Sequence, residues 1–66
     1  MDYIDRISAD PGIMTGKPVI KGTRITVEII LRKLSEGMTF EELLEAYPGL
    51  KREALLACLS YASDVI

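Results

Sequence analysis

Apolar residues recur along this chain with two different periods, one of two near its start and one of 3.6 after residue 25. Tyr3 to Ile7 alternates apolar and polar side chains, which predicts a half-buried strand. Val19-Ile20 is a β-branched pair that predicts a second short strand, and we expect the two strands to pair. Because a two-stranded ribbon is marginal alone in water, it needs either packing beneath it or a second copy beside it.

Three amphipathic helices are predicted in the remainder of the chain. The first carries apolar residues at the spacing i, i+3, i+4, i+7, namely Val27, Ile30, Leu31 and Leu34. The second repeats that spacing with Phe40, Leu43, Leu44 and Tyr47. The third runs from about Lys51 to Asp64, and its predicted buried face holds Leu55, Cys58, Leu59 and Ala62.

The helix boundaries are marked by capping residues and breakers. Thr26 is placed to cap the first helix, and Thr39 followed three residues later by Glu42 predicts a capping box for the second. Gly37 predicts a left-handed end to the first helix. Pro48-Gly49 stops the second helix and predicts a turn before the third.

Three apolar residues fall outside these stripes: Ile29 on the first helix, and Leu56 and Tyr61 on the third. Two interpretations remain open. Either the buried arc of each helix is wider than its stripe, or these side chains form an interface with a second subunit or a partner protein.

Sixty-six residues indicate one domain, with a strand-and-turn arm over residues 1–25 and a three-helix bundle over 26–66. A chain of this size buries only about 60% of its unfolded surface, so its core is marginal. Small domains usually gain stability from disulfides, a metal or a partner subunit. One cysteine and no histidine argue against the first two, whereas 48% hydrophobic residues favour the third. We therefore expect a homodimer.

The single cysteine, Cys58, lies among apolar residues of the third helix and is expected to be a buried structural thiol. One unpaired thiol agrees with a reducing compartment. The first residues lack the basic and apolar regions of an export signal, and no apolar run reaches the length of a membrane helix. We expect a cytoplasmic protein.

Charge is unevenly distributed along the chain, whose formal net charge is −2. Residues 1–35 hold six Lys/Arg and four Asp/Glu, while residues 36–66 hold two and six. Three of the eight Lys/Arg fall in residues 11–27, a stretch rich in glycine and proline that we call the elbow. Its cations Lys17, Lys21 and Arg24 are candidates for contact with a polyanion or an acidic protein, although a solvated loop accounts for them equally well.

Catalysis is not expected. Histidine, the commonest catalytic base and metal ligand, is absent, and the acidic residues near the N-terminus lack metal-loop spacing. Glu41 and Glu42 are adjacent on a helix and so do not face each other as an acid–base pair. We expect no catalytic residue, no metal site and no cofactor.

The second helix, the Tyr47–Leu50 turn and the third helix have helix-turn-helix proportions, an arrangement that can present its second helix to DNA. Simple packing is the alternative for such a hairpin. Lys51 and Arg52 stand at the start of the third helix, where recognition helices usually contact DNA. The rest of that helix is apolar or acidic on its exposed side, so solvated side chains are an equally good account of these two cations.

Two segments carry a family resemblance: GKPVIKGTRITVEIIL and SEGMTFEELLEAYPGLKREALLACLSYA. Together they are similar to the domain of unknown function 433 family, over about Ile7 to Ala62. The resemblance implies a small prokaryotic helix-turn-helix protein, many of whose relatives are antitoxin-like, with a homeodomain-like or winged-helix-like fold. It also implies a partner, a toxin nuclease of the PIN-like class. Where the family commonly has a hydroxyl residue after Pro-Gly-Leu, this chain has Lys51, which opposes the helix dipole and points to a role for the charge.

These observations lead to one expected function and one alternative. The first is a dimeric, antitoxin-like helix-turn-helix protein that binds DNA modestly through Lys51 and Arg52, with backbone contacts from the elbow cations, and binds a partner protein. In this first function, Ile29, Leu56 and Tyr61 are the expected protein-interface residues. In the alternative, the chain is a protein–protein interaction module without a nucleic-acid role, in which the acidic C-terminal half docks a basic partner and the helical hairpin is packing only.

Overall fold

A short antiparallel ribbon and three helices surround a shared apolar core. The structure is a computed structural model that describes residues 5–8 and 16–65. Its elements in chain order are β1 (Ile7–Ser8), β2 (Val19–Ile20), α1 (Val27–Ser35), α2 (Phe40–Ala46) and α3 (Arg52–Val65). The predicted mostly helical fold with a two-stranded N-terminal element is therefore confirmed.

The ribbon is shorter and later than the alternating pattern predicted. β1 and β2 pair antiparallel with Ile7 opposite Ile20, and both isoleucines are buried. The strand predicted over Tyr3–Ile7 is wrong in its bounds, because Asp5-Arg6 forms a turn and the first two residues of the prediction lie outside the described residues. The pairing begins only where the side chain of Ile7 enters the core.

The chain that follows β2 turns back against that strand. The amide of Ile20 donates to the carbonyl of Ile25 at 2.9 Å, which closes a tight turn over residues 21–24. Inside that turn the Thr23 hydroxyl donates to the Ile20 carbonyl at 2.7 Å and accepts from the Ile25 amide at 3.0 Å. Gly22 has a φ of +80°, a conformation that favours glycine. Of the elbow cations, Lys21 and Arg24 are thus held on a hydrogen-bonded turn.

The N-terminal caps of α1 and α2 form as the sequence predicts. Thr26 Oγ1 accepts from the Ile29 amide at 3.1 Å. At α2, Thr39 Oγ1 accepts from the Glu42 amide at 3.1 Å, and Glu42 Oε1 accepts from the Thr39 amide at 2.8 Å. This reciprocal pair is a capping box, and it fixes the start of α2.

Glycines end α1 and shape the turn that follows α2. Gly37 has a φ of +97°, its amide donates to the carbonyl of Leu34, and the Met38 amide donates to that of Lys33. These two bonds form a Schellman motif, which satisfies carbonyls left free at the helix end. After α2 the Leu50 amide donates to the Tyr47 carbonyl at 3.0 Å. Glycine at position 49, with a φ of +91°, permits this reversal.

The core joins all three helices to the ribbon, and its fully buried side chains include Ile30, Leu43, Leu55, Val19, Val27 and Cys58. The predicted face of α3 is partly wrong, because Leu59 is 42% exposed. Ala54 and Ala57 are buried, and their small side chains let α3 approach the core closely. The face of α3 that carries these two alanines is therefore the face that packs on the core. Tyr61 is half-buried and packs against the core, which for this residue favours a wider buried arc over a protein interface.

Candidate nucleic-acid interface

Residues from three separate parts of the chain form a cleft at the start of α3. Its volume is about 180 Å³. Cations stand in each of the three parts: Arg6 before β1, Lys21 in the elbow and Lys51 before α3. The remaining lining residues are Ile20, Thr23, Gly49, Leu50 and Ala54. We call this feature the cationic cleft, since no acidic residue lines it among the described residues.

Backbone hydrogen bonds hold two of these cations next to each other. The amide of Lys21 donates to the carbonyl of Arg6 at 2.8 Å, directly beyond the paired residues Ile7 and Ile20. The tight turn at Gly22 then reverses the chain. The position of Arg6 beside Lys21 therefore follows from the strand register.

Lys51 reaches the cleft because the Tyr47–Leu50 turn brings the start of α3 against the elbow. Its carbonyl accepts from the amides of Ala54 at 2.9 Å and Leu55 at 3.4 Å, so Lys51 occupies the N-cap position of α3. Lysine offers no side-chain acceptor to the free amides of the first turn. In α1 and α2 a threonine fills that role. The α3 terminus is therefore left with a cation instead of a cap.

The described cations divide into paired and unpaired groups. Glu28 binds both Lys17, at 3.4 Å, and Arg32, at 3.6 Å. Glu41 binds Arg52 at 3.5 Å. Cations with no acidic partner among residues 5–8 and 16–65 are Arg6, Lys21, Arg24, Lys33 and Lys51. Three of these five line the cationic cleft, which makes it the natural place for an external anion.

Arg52 points toward α2 and does not line the cleft. Its guanidinium lies 5.1 Å from the centre of the Phe40 ring and 3.5 Å from a carboxylate oxygen of Glu41. A cation over an aromatic face is favourable, and the planar guanidinium suits that position. The contact with DNA predicted for Arg52 therefore requires the side chain to leave Glu41.

The other predicted elbow cations lie apart from the cleft. Lys17 lines a second, more open cavity of about 240 Å³ along α1, together with Thr26, Glu28, Ile29 and Arg32. Arg24 is exposed and lines neither cavity. Of the five cations predicted to contact DNA, the structure brings together Lys21 and Lys51.

Arg6 is the cleft residue that the sequence pattern does not indicate. The alternating pattern predicts it as a polar residue of a strand, whereas it stands in the turn before β1. The strand pairing indicates the position of Arg6. In an antiparallel register with Ile7 opposite Ile20, the residue before Ile7 and the residue after Ile20 lie side by side, and these are Arg6 and Lys21.

Exposed apolar side chains lie on a different surface of α3. Leu56 is 39% exposed and Leu59 is 42% exposed, one helical turn apart on the side away from the core. Ile29, on α1, is 37% exposed and borders the second cavity. A wider buried arc therefore does not account for Ile29 and Leu56, and their role as interface residues stays a prediction.

Other chemistry in the described residues is sparse. Cys58 is buried, and desolvation by its surroundings raises the pKa of the thiol to about 11, so the nucleophilic thiolate is disfavoured. Within the described ranges, no three Asp, Glu or Cys side chains are placed so that they could hold a metal ion together. No helix in that part of the chain has the length and apolar character that a membrane crossing requires.

Comparison with known proteins gives consistent results. Residues 7–62 match the family described as "Protein of unknown function (DUF433)". The chain is 34% identical over 56 residues to the uncharacterized protein y4eO of Sinorhizobium fredii (strain NBRC 101917 / NGR234). That match covers 85% of this chain and 25% of y4eO, so the chain spans about a quarter of its relative.

A crystal structure of a DUF433 member protein from Anabaena variabilis ATCC 29413 has the same fold. It superposes with a TM-score of 0.87 at 34% sequence identity, over 92% of this chain and 60% of the crystallised one. The family match over residues 7–62 includes the elbow, the Tyr47–Leu50 turn and most of α3. The chain therefore belongs to the DUF433 family, whose function is unknown.

Proposed function

We propose that this protein is a small, dimeric, antitoxin-like helix-turn-helix protein of the cytoplasm that binds DNA without catalysing a reaction. In this proposal α2, the Tyr47–Leu50 turn and α3 are the helix-turn-helix. The observation that supports it most is the convergence of Lys21 and Lys51, from two distant segments, on one cleft at the start of α3. Cations at that end of a recognition helix contact DNA in known helix-turn-helix proteins.

The surrounding surface favours contact with the phosphate backbone over the reading of bases. Beyond Lys51, the outward side of α3 carries Leu56 and Leu59, and the neighbouring α2 exposes Glu41, Glu42 and Glu45. Carboxylates repel phosphates, so the available contacts are few and peripheral. Since affinity for DNA depends mainly on the number of phosphates neutralised, we expect modest and strongly salt-dependent binding.

Dimerisation belongs to the proposal because it doubles the available cations. One subunit presents Arg6, Lys21 and Lys51 in its cleft, and the net charge of −2 gives no general attraction to DNA. Two subunits would present two clefts to one duplex. The exposed side chains of Ile29 and Leu56 are the proposed contacts between proteins, either within the dimer or with a partner.

A partner protein follows from the family resemblance, which implies a toxin nuclease of the PIN-like class. The alternative function, a protein–protein module without a role in DNA binding, draws support from the apolar pair Leu56 and Leu59. These side chains occupy the helix surface that would otherwise face a DNA groove. In the first function Lys21 and Lys51 bind DNA, whereas in the alternative they do not.

Fluorescence anisotropy with a labelled duplex separates the two functions. We compare the wild-type protein with Lys21→Gln and Lys51→Gln, using Lys33→Gln as the control because Lys33 has no acidic partner in the described structure and lies outside the cleft. All three variants lose one positive charge. At physiological salt we expect each cleft variant to bind about threefold to tenfold more weakly, with the control within about twofold of wild type.

Two results would contradict DNA binding by this surface. One is a wild-type Kd weaker than about 10⁻⁴ M, the weak end of ordinary non-specific binding. The other is an equal loss in all three variants, which would report net charge alone. Sedimentation equilibrium of the same samples tests the dimer separately, and a monomer at binding concentrations would remove that part of the proposal.

A further inference from the structure

We propose that the cationic cleft is a binding site for a single phosphate group, held jointly by Arg6, Lys21 and Lys51. The inference rests on the proposed function where that group belongs to a DNA strand. It goes further in assigning a bounded site with a defined chemistry. It also includes Arg6, which the helix-turn-helix comparison does not indicate.

The first argument is charge. Three like charges from separate segments line one cavity, and no described carboxylate lines it with them. Elsewhere in the described structure, Glu28 and Glu41 compensate Lys17, Arg32 and Arg52. Like charges held together disfavour the folded state, and a bound anion relieves that repulsion. Within the described residues, the cleft is therefore the region with the most favourable electrostatic interaction for a dianion.

The second argument is the set of donors. Arginine supplies a planar fork that can bind two oxygens of one phosphate, and each lysine adds a compact positive charge. Lys51 also precedes the first turn of α3, whose free amides point out of the same end of the helix. The Thr23 hydroxyl, in contrast, is already engaged with the backbone of Ile20 and Ile25. Thr23 therefore contributes to the wall of the cleft without offering a free donor to an anion.

The third argument is size. Pockets that enclose whole small-molecule ligands usually measure about 300–1,000 Å³. The cleft, at about 180 Å³, is smaller and suits an inorganic group better than a complete nucleotide. Its apolar lining comes from Ile20, Leu50 and Ala54, which carry no acceptor that would repel an anion. A phosphate could thus enter the cleft while the sugar and base stay outside it.

Amide chemical-shift mapping with inorganic phosphate tests the site without any substitution. Sodium chloride at matched ionic strength is the control for screening. We expect phosphate to shift amides in residues 21–23 and 49–54 and to saturate them, while chloride leaves them unchanged. Shifts that are scattered over the fold, or that chloride reproduces, would overturn the proposal.

Matched variants then test the cations. Lys21→Gln and Lys51→Gln should weaken phosphate binding by about threefold to tenfold, and Lys33→Gln should leave it within about twofold. Arg6→Lys keeps the charge but loses the fork, so we expect it to weaken binding as well. Equal binding by Lys51→Gln and wild type would overturn the assignment of Lys51. The dispersion of each amide spectrum shows directly whether the variant is folded.

A labelled duplex in the same assay distinguishes the two sources of phosphate and separates the two proposals. If the duplex shifts the same amides and phosphate competes with it, the group belongs to a DNA strand. If phosphate saturates the cleft but no duplex binds, the anion site stands and the proposed function fails. If the duplex binds without shifting the cleft amides, the anion site fails and the proposed function stands.

Discussion

Replacing Lys51 by serine should make the protein more stable and a weaker binder of DNA. The carbonyl of Lys51 already accepts from Ala54 and Leu55 at the start of α3, so the backbone has the N-cap arrangement. What the position lacks is a side-chain acceptor. At the starts of α1 and α2, the hydroxyls of Thr26 and Thr39 each accept a hydrogen bond from a backbone amide at 3.1 Å.

The expected gain has two parts. A serine cap contributes about 1 kcal/mol relative to a residue that cannot cap. Removing a cation from a helix N-terminus contributes a further 0.3–1 kcal/mol, roughly, through the helix dipole. The free energy of unfolding should therefore rise by about 1–2 kcal/mol. In a domain of this size that corresponds to a Tm increase of roughly 5–15 °C.

Thermal unfolding followed by circular dichroism measures the gain, and Lys51→Gln is the matched control. Glutamine removes the charge without supplying a good cap, so it should give only the smaller, electrostatic part of the increase. Both variants should lose duplex affinity to the same extent. A serine variant that melts with the glutamine variant would refute the capping argument. One that keeps wild-type duplex affinity would refute the role of the charge.

Three further predictions address the core, the Arg52 contact and the thiol. Leu43→Ala should lower the free energy of unfolding by about 2–5 kcal/mol in urea titration, because Leu43 is fully buried, whereas Leu59→Ala, at an exposed position outside the proposed dimer contacts, should cost less than about 1 kcal/mol. Glu41→Gln should release Arg52 and so tighten duplex binding, as measured by anisotropy. The loss of this exposed ion pair should change the free energy of unfolding by less than about 1 kcal/mol. An unchanged duplex affinity would contradict the predicted contact of Arg52 with DNA. Burial raises the pKa of the Cys58 thiol to about 11, whereas the pKa of a cysteine thiol in an unfolded chain is about 8.5. The free energy of unfolding should therefore fall as pH rises through that interval, more steeply in wild type than in Cys58→Ala, and equal slopes would contradict the burial effect.

Local signals in the sequence were enough for the helices. Each predicted cap depends on residues within a few positions of one another, as in the capping box of Thr39 and Glu42 or the Schellman motif at Gly37. Such interactions do not depend on the tertiary fold. The starts of α1 and α2 and the end of α1 were consequently predictable from the sequence.

The rotation of α3 was not predictable in the same way. A stripe of large apolar residues favoured Leu59 as a core residue, but Ala54 and Ala57 bring the helix backbone close to the core. Small residues decide how near two elements approach, and that depends on what lies opposite. As a result Leu59, which the stripe includes, is exposed, whereas Tyr61, which lies outside the stripe, packs against the core.

The candidate site shows the same division between local and distant information. Lys21 and Lys51 could be identified as exposed cations beside turns, but their meeting in one cleft depends on how the elbow packs against the start of α3. Arg6 became a cleft residue through the β1–β2 register. Likewise, the pairing of Arg52 with Glu41 joins residues on two helices, which the exposure pattern of α3 alone did not indicate.

The salt dependence of duplex affinity tests the central claim, that DNA phosphates bind at Lys51, most directly. Each phosphate contact contributes about 0.9 to the slope of log K against log salt. Lys51→Gln should therefore reduce the slope by about 1.8 if two subunits bind the duplex, and by about 0.9 if one does. Lys33→Gln should leave the slope unchanged. A Lys51→Gln slope equal to that of the wild-type protein would contradict the claim.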